Sequence, residues 1–234
     1  MTEFESCLIS INKNILLGNY DKIVPDSNVG YSLFDDLAFL KGLAISNNEK
    51  YRYIDFVMSM SNKFPFMISS FAFELYKNHE YDVATYAFLR MAQMSSKEKN
   101  DSSINNLVYI LRRQESEYSS VFSISDLAEL LEPGLKMHQP HCIVNLALLF
   151  ILKSGNDEDW KLADEIIWTL NDSKENLNEI ITWWSDVENV GTIECLVVHL
   201  LLLRNKLIEE STFGTKEEII KKLKKEKFNI PKWI

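Results

Sequence analysis

The chain has 234 residues, of which 46% are hydrophobic and 25% charged, with seven glycines, five prolines and three cysteines. This composition predicts a folded globular protein and excludes collagen-like, low-complexity and disulfide-scaffold classes, because glycine, proline and cysteine are all scarce. The formal net charge of −9 disfavours direct binding to nucleic acid, whose phosphates require cationic side chains.

Apolar residues recur at spacings of three and four along most of the chain, which is the pattern of amphipathic helices. No stretch shows the apolar–polar alternation of a half-buried strand, so the predicted fold class is all-α. In chain order we predict helices near residues 3–18, 34–46, 50–62, 64–78, 81–95, 102–116, 125–137, 141–154, 158–171, 175–187, 190–210 and 215–227. The stretch from Val24 to Leu33 is predicted to be an irregular loop.

Two of these helices carry signals at their ends. Ser125 precedes an apolar run and is predicted to be its N-cap, and Pro133-Gly134 is predicted to end the same helix. The last helix is rich in lysine, and we predict that it caps the fold, with Phe228, Ile230 and Trp233 folding back onto it. The alternative for this basic segment is contact with a membrane or with nucleic acid.

Two kinds of internal similarity indicate repeated helical units. The segment 106–111 aligns with 145–150, and the segments 19–23, 80–84 and 159–163 each place an acid beside an aromatic residue at the start of a helix. An acid at this position accepts hydrogen bonds from free first-turn amides and complements the helix dipole. The alternative is a non-repetitive helical bundle.

On these residues the sequence resembles the tetratricopeptide and Sel1-like repeat families. The helix–turn–helix from Phe73 to Ala84, with Phe88 and Ala92 beyond it, is similar to their pattern of a leucine and an aromatic followed by small residues spaced by four. The resemblance covers about residues 64–187. It implies antiparallel helix pairs stacked as an irregular TPR/Sel1-like α-solenoid. We expect one domain over residues 1–234, with irregular helices in 1–63, a repeat-like core in 64–187 and capping helices in 188–234.

Residues with catalytic or metal-binding chemistry are few. His138, His141 and Cys142 form a cluster with metal-ligand chemistry, but no second His/Cys cluster exists to complete a tetrahedral site, so we predict no metal and no cofactor. Cys195 and His199 share one face of a helix whose other residues are apolar, and a buried thiol of this kind is unreactive. Phosphate-binding loops and serine-hydrolase motifs are absent from the sequence.

A surface for a partner protein is predicted in the acidic segment 118–203, which holds 14 acidic and 4 basic residues, a net charge of −10. Within it, the consecutive residues Trp183 and Trp184 cannot both face one core, so one is expected at a groove or on the surface. The alternative packs both rings between helix layers. The predicted partner-binding residues are Trp183, Trp184, Asp157, Glu158, Asp186 and Glu188.

These observations predict a non-enzymatic protein-interaction module that binds a basic partner protein through an acidic groove. One version is an immunity or antitoxin-like protein that neutralises a basic toxin, and another is a scaffold or adaptor. The alternative is an enzyme or ligand-binding regulator on an irregular helical bundle, with polar groups converging around His138, His141 or His199.

The expected location is the cytoplasm. The acidic N-terminus lacks the basic start of a secretory signal, and the apolar runs 143–152 and 196–203 are shorter than the ~20 residues that span a bilayer. Three scattered cysteines agree with a reducing compartment. No membrane insertion is therefore predicted.

Overall fold

The computed structural model describes residues 1–17, 33–60, 65–98, 101–113, 116–153, 155–171 and 177–234. Within these ranges every regular element is a helix and no strand occurs, so the predicted all-α class is confirmed. The α-helices are α1 (Glu3–Leu16), α2 (Leu33–Ser46), α3 (Lys50–Ser59), α4 (Pro65–Lys77), α5 (Tyr81–Glu98), α6 (Asp101–Arg112), α7 (Ile124–Lys136), α8 (Pro140–Lys153), α9 (Asp157–Trp168), α10 (Leu177–Trp183), α11 (Val187–Val190), α12 (Thr192–Arg204) and α13 (Lys216–Lys225). A 3-10 helix, Glu117–Val121, lies between α6 and α7.

Most predicted helices lie within a few residues of an observed one. The predicted helix 190–210 corresponds to α12, which begins after Gly191, whose φ of +106° suits glycine, and ends at Arg204. The short α11 precedes Gly191. The predicted loop from Val24 to Leu33 lies outside the described residues except for Leu33 itself, and so does the acid–aromatic segment 19–23. In the described part, no helix is long and apolar enough to cross a membrane.

The chain forms two compact units, residues 1–91 and 92–234. This division falls inside the segment predicted to be a repeat-like core, and the single-domain organisation stays a prediction. In the first unit, α1 packs on α2, α2 on α3 and α3 on α4. Its core is aromatic and aliphatic, and the fully buried side chains include Phe4, Leu37, Leu40, Tyr53, Ile54, Phe71 and Phe88.

In the second unit, α8 packs against α6, α7, α9, α10 and α12. The predicted burial of the apolar run in α12 is confirmed, because every residue from Cys195 to Leu202 is buried. A helix that is apolar on all sides must be surrounded by protein. Helices α8 and α12 therefore form the centre against which the shorter helices of this unit are placed.

Three helix pairs are joined by the same kind of tight turn. Asn48, His79 and His138 each adopt a left-handed conformation, with φ of 57°, 63° and 54°, two residues after α2, α4 and α7. In each turn the backbone N–H of the residue after the left-handed one donates to the carbonyl five residues before it. An example is Gln139 N, which donates to Gly134 O at 2.8 Å. This hydrogen bond closes the helix end, and the next helix starts immediately. The turn is the local basis of the packed helix pairs.

The ends of α7 differ from the prediction. Its N-cap is Ser123, because the Ser123 hydroxyl accepts from Asp126 N at 3.2 Å while Asp126 accepts from Ser123 N at 2.7 Å. Ser125 therefore lies inside the helix. Pro133 also lies inside it and removes only one backbone donor, so the helix continues to Lys136. Gly134 belongs to the interface with α8, since a Cβ atom there would lie 2.5 Å from Cys142 Sγ.

The C-terminal helix α13 packs on α12. Phe228 and Trp233, predicted to fold back onto α13, instead contact Trp160 of α9 and Arg204 of α12. Its N-terminus is closed by a capping box between Thr215 and Glu218. The chain after α13 returns to the body of the unit, where Trp160 Nε1 donates to the carbonyl of Asn229 at 3.2 Å. The Arg204 guanidinium lies over the ring of Trp233, 4.7 Å from its centroid.

Candidate functional site

The two consecutive tryptophans of the second unit face opposite environments. Trp184 is fully buried and lies beneath the guanidinium of Arg112, 5.9 Å from the ring centroid. Trp183 is 39% exposed. Because successive helical residues point about 100° apart, burial of one ring directs the other outward. Trp184, which was predicted as a partner-binding residue, is therefore part of the core, and Trp183 is the residue that reaches solvent.

Trp183 lies among acidic side chains. Its ring meets the His141 ring edge-on at a centroid distance of 6.1 Å. Glu179, one helical turn earlier, lies 3.3 Å from His141 Nε2 and keeps 71% of its side chain exposed. Asp186 and Glu188 follow within five residues and are both exposed, and the segment 177–190 contains no lysine or arginine. The segment that carries Trp183 therefore has three acids and no basic residue.

The predicted acids on α9 lie elsewhere. Asp157 and Glu158 are exposed in the first turn of α9, where Asn156 Oδ1 caps the helix by accepting from two backbone N–H groups at 2.9 Å. Helix α9 follows α8 after three residues and packs along it, so the two run antiparallel. Asp157 therefore lies near the C-terminal end of α8. Trp183 lies near its N-terminal end, because its ring contacts His141 in the first turn of α8. Since α8 has 14 residues, about 20 Å separates them. The prediction that these acids neighbour Trp183 is wrong.

A second exposed tryptophan was not predicted. Trp168 ends α9 and is 55% exposed. It shares the outer face of α9 with Glu165 and Leu162, both exposed, while Trp160, the residue two turns earlier, is buried. The antiparallel pairing of α8 and α9 places Trp168 at the end of this pair where His141 and Trp183 meet.

We call the exposed residues around Trp183 the tryptophan surface, which comprises Glu179, Trp183, Asp186 and Glu188. A signal for Trp168 was present in the sequence, because residue 168 falls outside the apolar stripe formed by 160, 163, 167 and 170.

The histidines considered for catalysis do not converge with other ligands. His138 occupies the left-handed turn before α8, His141 pairs with Glu179, and Cys142 is buried against Gly134. Among the described residues, no three His, Cys, Asp or Glu side chains form a group that holds a metal ion.

His199 is the most enclosed ionisable side chain near the C-terminal segment. It is fully buried, with Ser185 Oγ 3.1 Å from Nε2 and Ser211 Oγ 2.8 Å from Nδ1. Because Ser185 Oγ donates to Ile181 O at 2.6 Å, it accepts from Nε2–H. Ser211 then donates to Nδ1, and both nitrogens of a neutral imidazole are satisfied. Burial lowers the pKa of His199 to about 4, so the imidazole is uncharged at neutral pH. Its role is structural, because it links Ser185 and Ser211 to α12 by hydrogen bonds.

The thiol near His199 is equally unsuited to nucleophilic chemistry. Burial raises the pKa of Cys195 to about 12, with a further contribution from Glu194. A thiol with this pKa is protonated at neutral pH and is a poor nucleophile. The geometry offers no activated pair on α12.

A buried polar network connects α6, α8 and α12. Arg112 donates to both carboxylate oxygens of Glu194, at 2.7 and 3.1 Å, and its Nε donates to Asn145 Oδ1 at 3.0 Å. Asn145 in turn donates to Asn105 at 2.6 Å. The same guanidinium lies over the ring of Trp184, so the network contacts the residue that follows Trp183.

Comparison of the sequence and structure with protein-family models, curated proteins and solved structures finds no match.

Proposed function

We propose that this chain is a non-enzymatic protein-binding module, and that the tryptophan surface docks a basic segment of a partner protein. The observation that carries the proposal is Trp183, a 39% exposed tryptophan on a segment with three acids and no basic residue. Partly exposed tryptophans are frequent anchors of protein interfaces. An arginine or lysine of the partner gains from the ring face through a cation–π contact and from the surrounding carboxylates through charge.

The proposed partner is a protein with an exposed arginine- or lysine-rich segment. A toxin neutralised by an immunity-type protein fits this description, and so does a client held by a scaffold. The proposal includes the finer architecture, in which the helix pairs are degenerate TPR/Sel1-like repeats of an irregular α-solenoid. The recurring left-handed turn at Asn48, His79 and His138 supports that architecture, because a repeated connection is what repeated helix hairpins require.

The test uses a fluorescein-labelled octa-arginine peptide as the probe and an octa-glutamate peptide as the negative control. Fluorescence anisotropy is measured at low and at physiological salt. We expect the arginine peptide alone to bind, with an affinity that falls as salt screens the charges. Trp183→Ala is expected to raise Kd about tenfold or more, since the anchoring ring is lost.

A matched pair of charge variants localises the site. Glu179→Gln with Asp186→Asn removes two charges at the tryptophan surface, and Asp157→Asn with Glu158→Gln removes two charges at the other end of α8. We expect only the first pair to weaken binding and to flatten its salt dependence. Equal weakening by both pairs, or no effect of Trp183→Ala, would overturn the proposed site.

A further inference from the structure

A groove of about 630 Å³ lies between one face of α13 and the turn that precedes this helix. Both walls belong to the second unit. The groove combines three lysines with an aromatic ring, and its lining includes Phe213, Gly214, Glu218, Lys221, Lys222 and Lys225. Its volume lies within the range typical of small-molecule sites.

The turn that forms one wall is held by hydrogen bonds to the core. Ser211 Oγ lies 2.8 Å from Nδ1 of the buried His199 and accepts from Phe213 N at 3.1 Å. The Phe213 ring meets the His199 imidazole edge-on, at a centroid distance of 4.8 Å. Gly214 N donates to Ser211 O at 3.0 Å and closes the turn. These contacts fix the aromatic wall in place before any ligand binds.

The other wall gathers three ammonium groups on one part of α13. Lys221 and Lys222 are adjacent, Lys225 lies one helical turn beyond them, and all three are exposed. Side chains separated by three or four positions are neighbours on a helix, with Cβ atoms about 5–6 Å apart, and like charges at this spacing destabilise the helix. An anion that carries several charges relieves this repulsion when it binds between the lysines.

The charges that line the groove are mainly positive, because three lysines face one acid. That acid, Glu218, is directed toward the start of the helix, where its carboxylate accepts from the N-cap backbone N–H at 2.8 Å. Lys222 Nζ donates to the Phe213 carbonyl at 2.7 Å. Because a carbonyl is a neutral acceptor, this bond leaves the charge of Lys222 in place. The acidic pair 209–210, which precedes the turn, is not among the described lining residues.

The two walls suit the two parts of one kind of ligand. Lysine binds phosphate as a point charge, and its hydrogen bonds to phosphate are strengthened by the charges on both groups. The Phe213 ring offers a surface on which a second aromatic ring can pack. We propose that the groove binds a phosphate compound that also carries an aromatic ring, such as a nucleoside diphosphate. The phosphates lie toward Lys221 and Lys225, and the aromatic ring lies against Phe213.

The test is titration calorimetry on the full chain with adenosine diphosphate, pyrophosphate and adenosine as probes, at low ionic strength and without divalent cations. Pyrophosphate carries the phosphates alone, and adenosine carries the aromatic group alone. We expect adenosine diphosphate to bind at one site per chain, about fivefold more tightly than pyrophosphate, since ring packing adds to the charge interaction. Adenosine is expected to show no binding. Failure of adenosine diphosphate to bind, or an affinity equal to that of either other probe, would overturn the proposal.

Matched lysine variants localise the phosphates. Lys221→Gln with Lys225→Gln removes two charges from the groove, and Lys224→Gln with Lys227→Gln removes two exposed charges of the same segment that do not belong to the described lining. We expect the first pair to weaken adenosine diphosphate binding about tenfold or more. The second pair should weaken it less than about twofold, since its charges act from a greater distance. Equal weakening by both pairs would show that net charge alone attracts the nucleotide and would contradict the placement.

Phe213→Leu tests the aromatic ring separately from the phosphates. Leucine keeps an apolar side chain beside His199 but offers no aromatic face. We expect the affinity for adenosine diphosphate to fall to that for pyrophosphate, while the affinity for pyrophosphate is unchanged. Unchanged affinity for adenosine diphosphate in this variant would show that its ring does not lie against Phe213.

Discussion

Arg112 and Glu194 form a bidentate ion pair across 82 positions of sequence, with both partners largely removed from solvent. Two parallel N–H···O bonds fix the guanidinium in the plane of the carboxylate. The same guanidinium faces Trp184, whose burial turns Trp183 outward. The pair therefore links the core of the second unit to the tryptophan surface.

Removing one partner of this pair should be costly. Arg112→Met leaves the Glu194 carboxylate buried beside Arg113 alone, 3.7 Å away, and we expect the free energy of unfolding to fall by about 3 kcal/mol. Arg112→Met with Glu194→Leu removes both charges and should be less destabilised than Arg112→Met. Urea unfolding of the variants in a double-mutant cycle measures the coupling free energy between the two side chains.

The exposed pair Lys136–Glu132 is the control, and Lys136→Met should lower the free energy of unfolding by less than about 0.5 kcal/mol. Additive effects of the two buried substitutions would contradict this account.

Acid should destabilise the fold through His199. Burial lowers the pKa of this imidazole from its ordinary 6.5 to about 4. Between these values the unfolded chain takes up a proton that the folded chain does not, so stability is lost as the pH falls from 6.5 to 4. Above pH 6.5 the imidazole is neutral in both states and contributes no pH dependence. The measurement is the unfolding free energy against pH for the native chain and for His199→Gln, whose curve should be flatter in this window. Parallel curves would show that another group is responsible.

Two glycines inside helices should respond in opposite ways to alanine. At Gly134 a Cβ would meet Cys142 Sγ at 2.5 Å, so Gly134→Ala is expected to destabilise the fold by about 1–3 kcal/mol. Cys142→Ala should relieve part of this loss. At Gly42 in α2 nothing lies within 4 Å of the added Cβ, so Gly42→Ala should stabilise by up to about 1 kcal/mol through helix propensity. Thermal unfolding of Gly134→Ala, of Gly134→Ala combined with Cys142→Ala, and of Gly42→Ala measures these changes in stability. Stabilisation by Gly134→Ala would show that α7 and α8 are not in close contact at this position.

Relief of backbone strain should stabilise the turn after α12. Lys206 adopts a left-handed conformation with φ of 54° and is exposed. Glycine takes up this conformation without the clash of a Cβ atom, so Lys206→Gly is expected to raise the unfolding free energy by about 1 kcal/mol. Lys161→Gly, on the exposed face of α9, is the control and should lower it by about 1 kcal/mol. Destabilisation by both substitutions would contradict the turn geometry.

The sequence was sufficient to predict the features that depend on local periodicity. The helical class and the burial of α12 both follow from apolar spacing within a few turns. The predicted range 125–137 lies one residue from the observed α7, but its end signals were assigned to the wrong residues, because two serines and one proline each satisfy a local rule. The structure identifies Ser123 as the N-cap through its reciprocal hydrogen bonds with Asp126. It also shows Gly134 inside the helix, in close contact with α8.

The candidate site depended on contacts that no local rule describes. Asp157 and Glu158 were assigned to the neighbourhood of Trp183 from their charge, but the antiparallel run of α8 and α9 places them at the opposite end. The pairing of Arg112 with Glu194 joins segments far apart in the chain, and the Arg112 guanidinium lies 5.9 Å from the centroid of the buried Trp184 ring. Trp168 could have been found, because its position lies off the apolar stripe of its own helix.

The most direct test of the tryptophan surface is 19F NMR of the chain labelled with 5-fluorotryptophan, titrated with the octa-arginine peptide. The five tryptophans give separate resonances, which single Trp→Phe variants assign. The account predicts that the Trp183 resonance shifts with saturation. The resonances of Trp160, which donates to the Asn229 carbonyl, and of Trp233, which lies under the Arg204 guanidinium, are expected to stay in place. A Trp183 resonance that does not move while the peptide binds would contradict it.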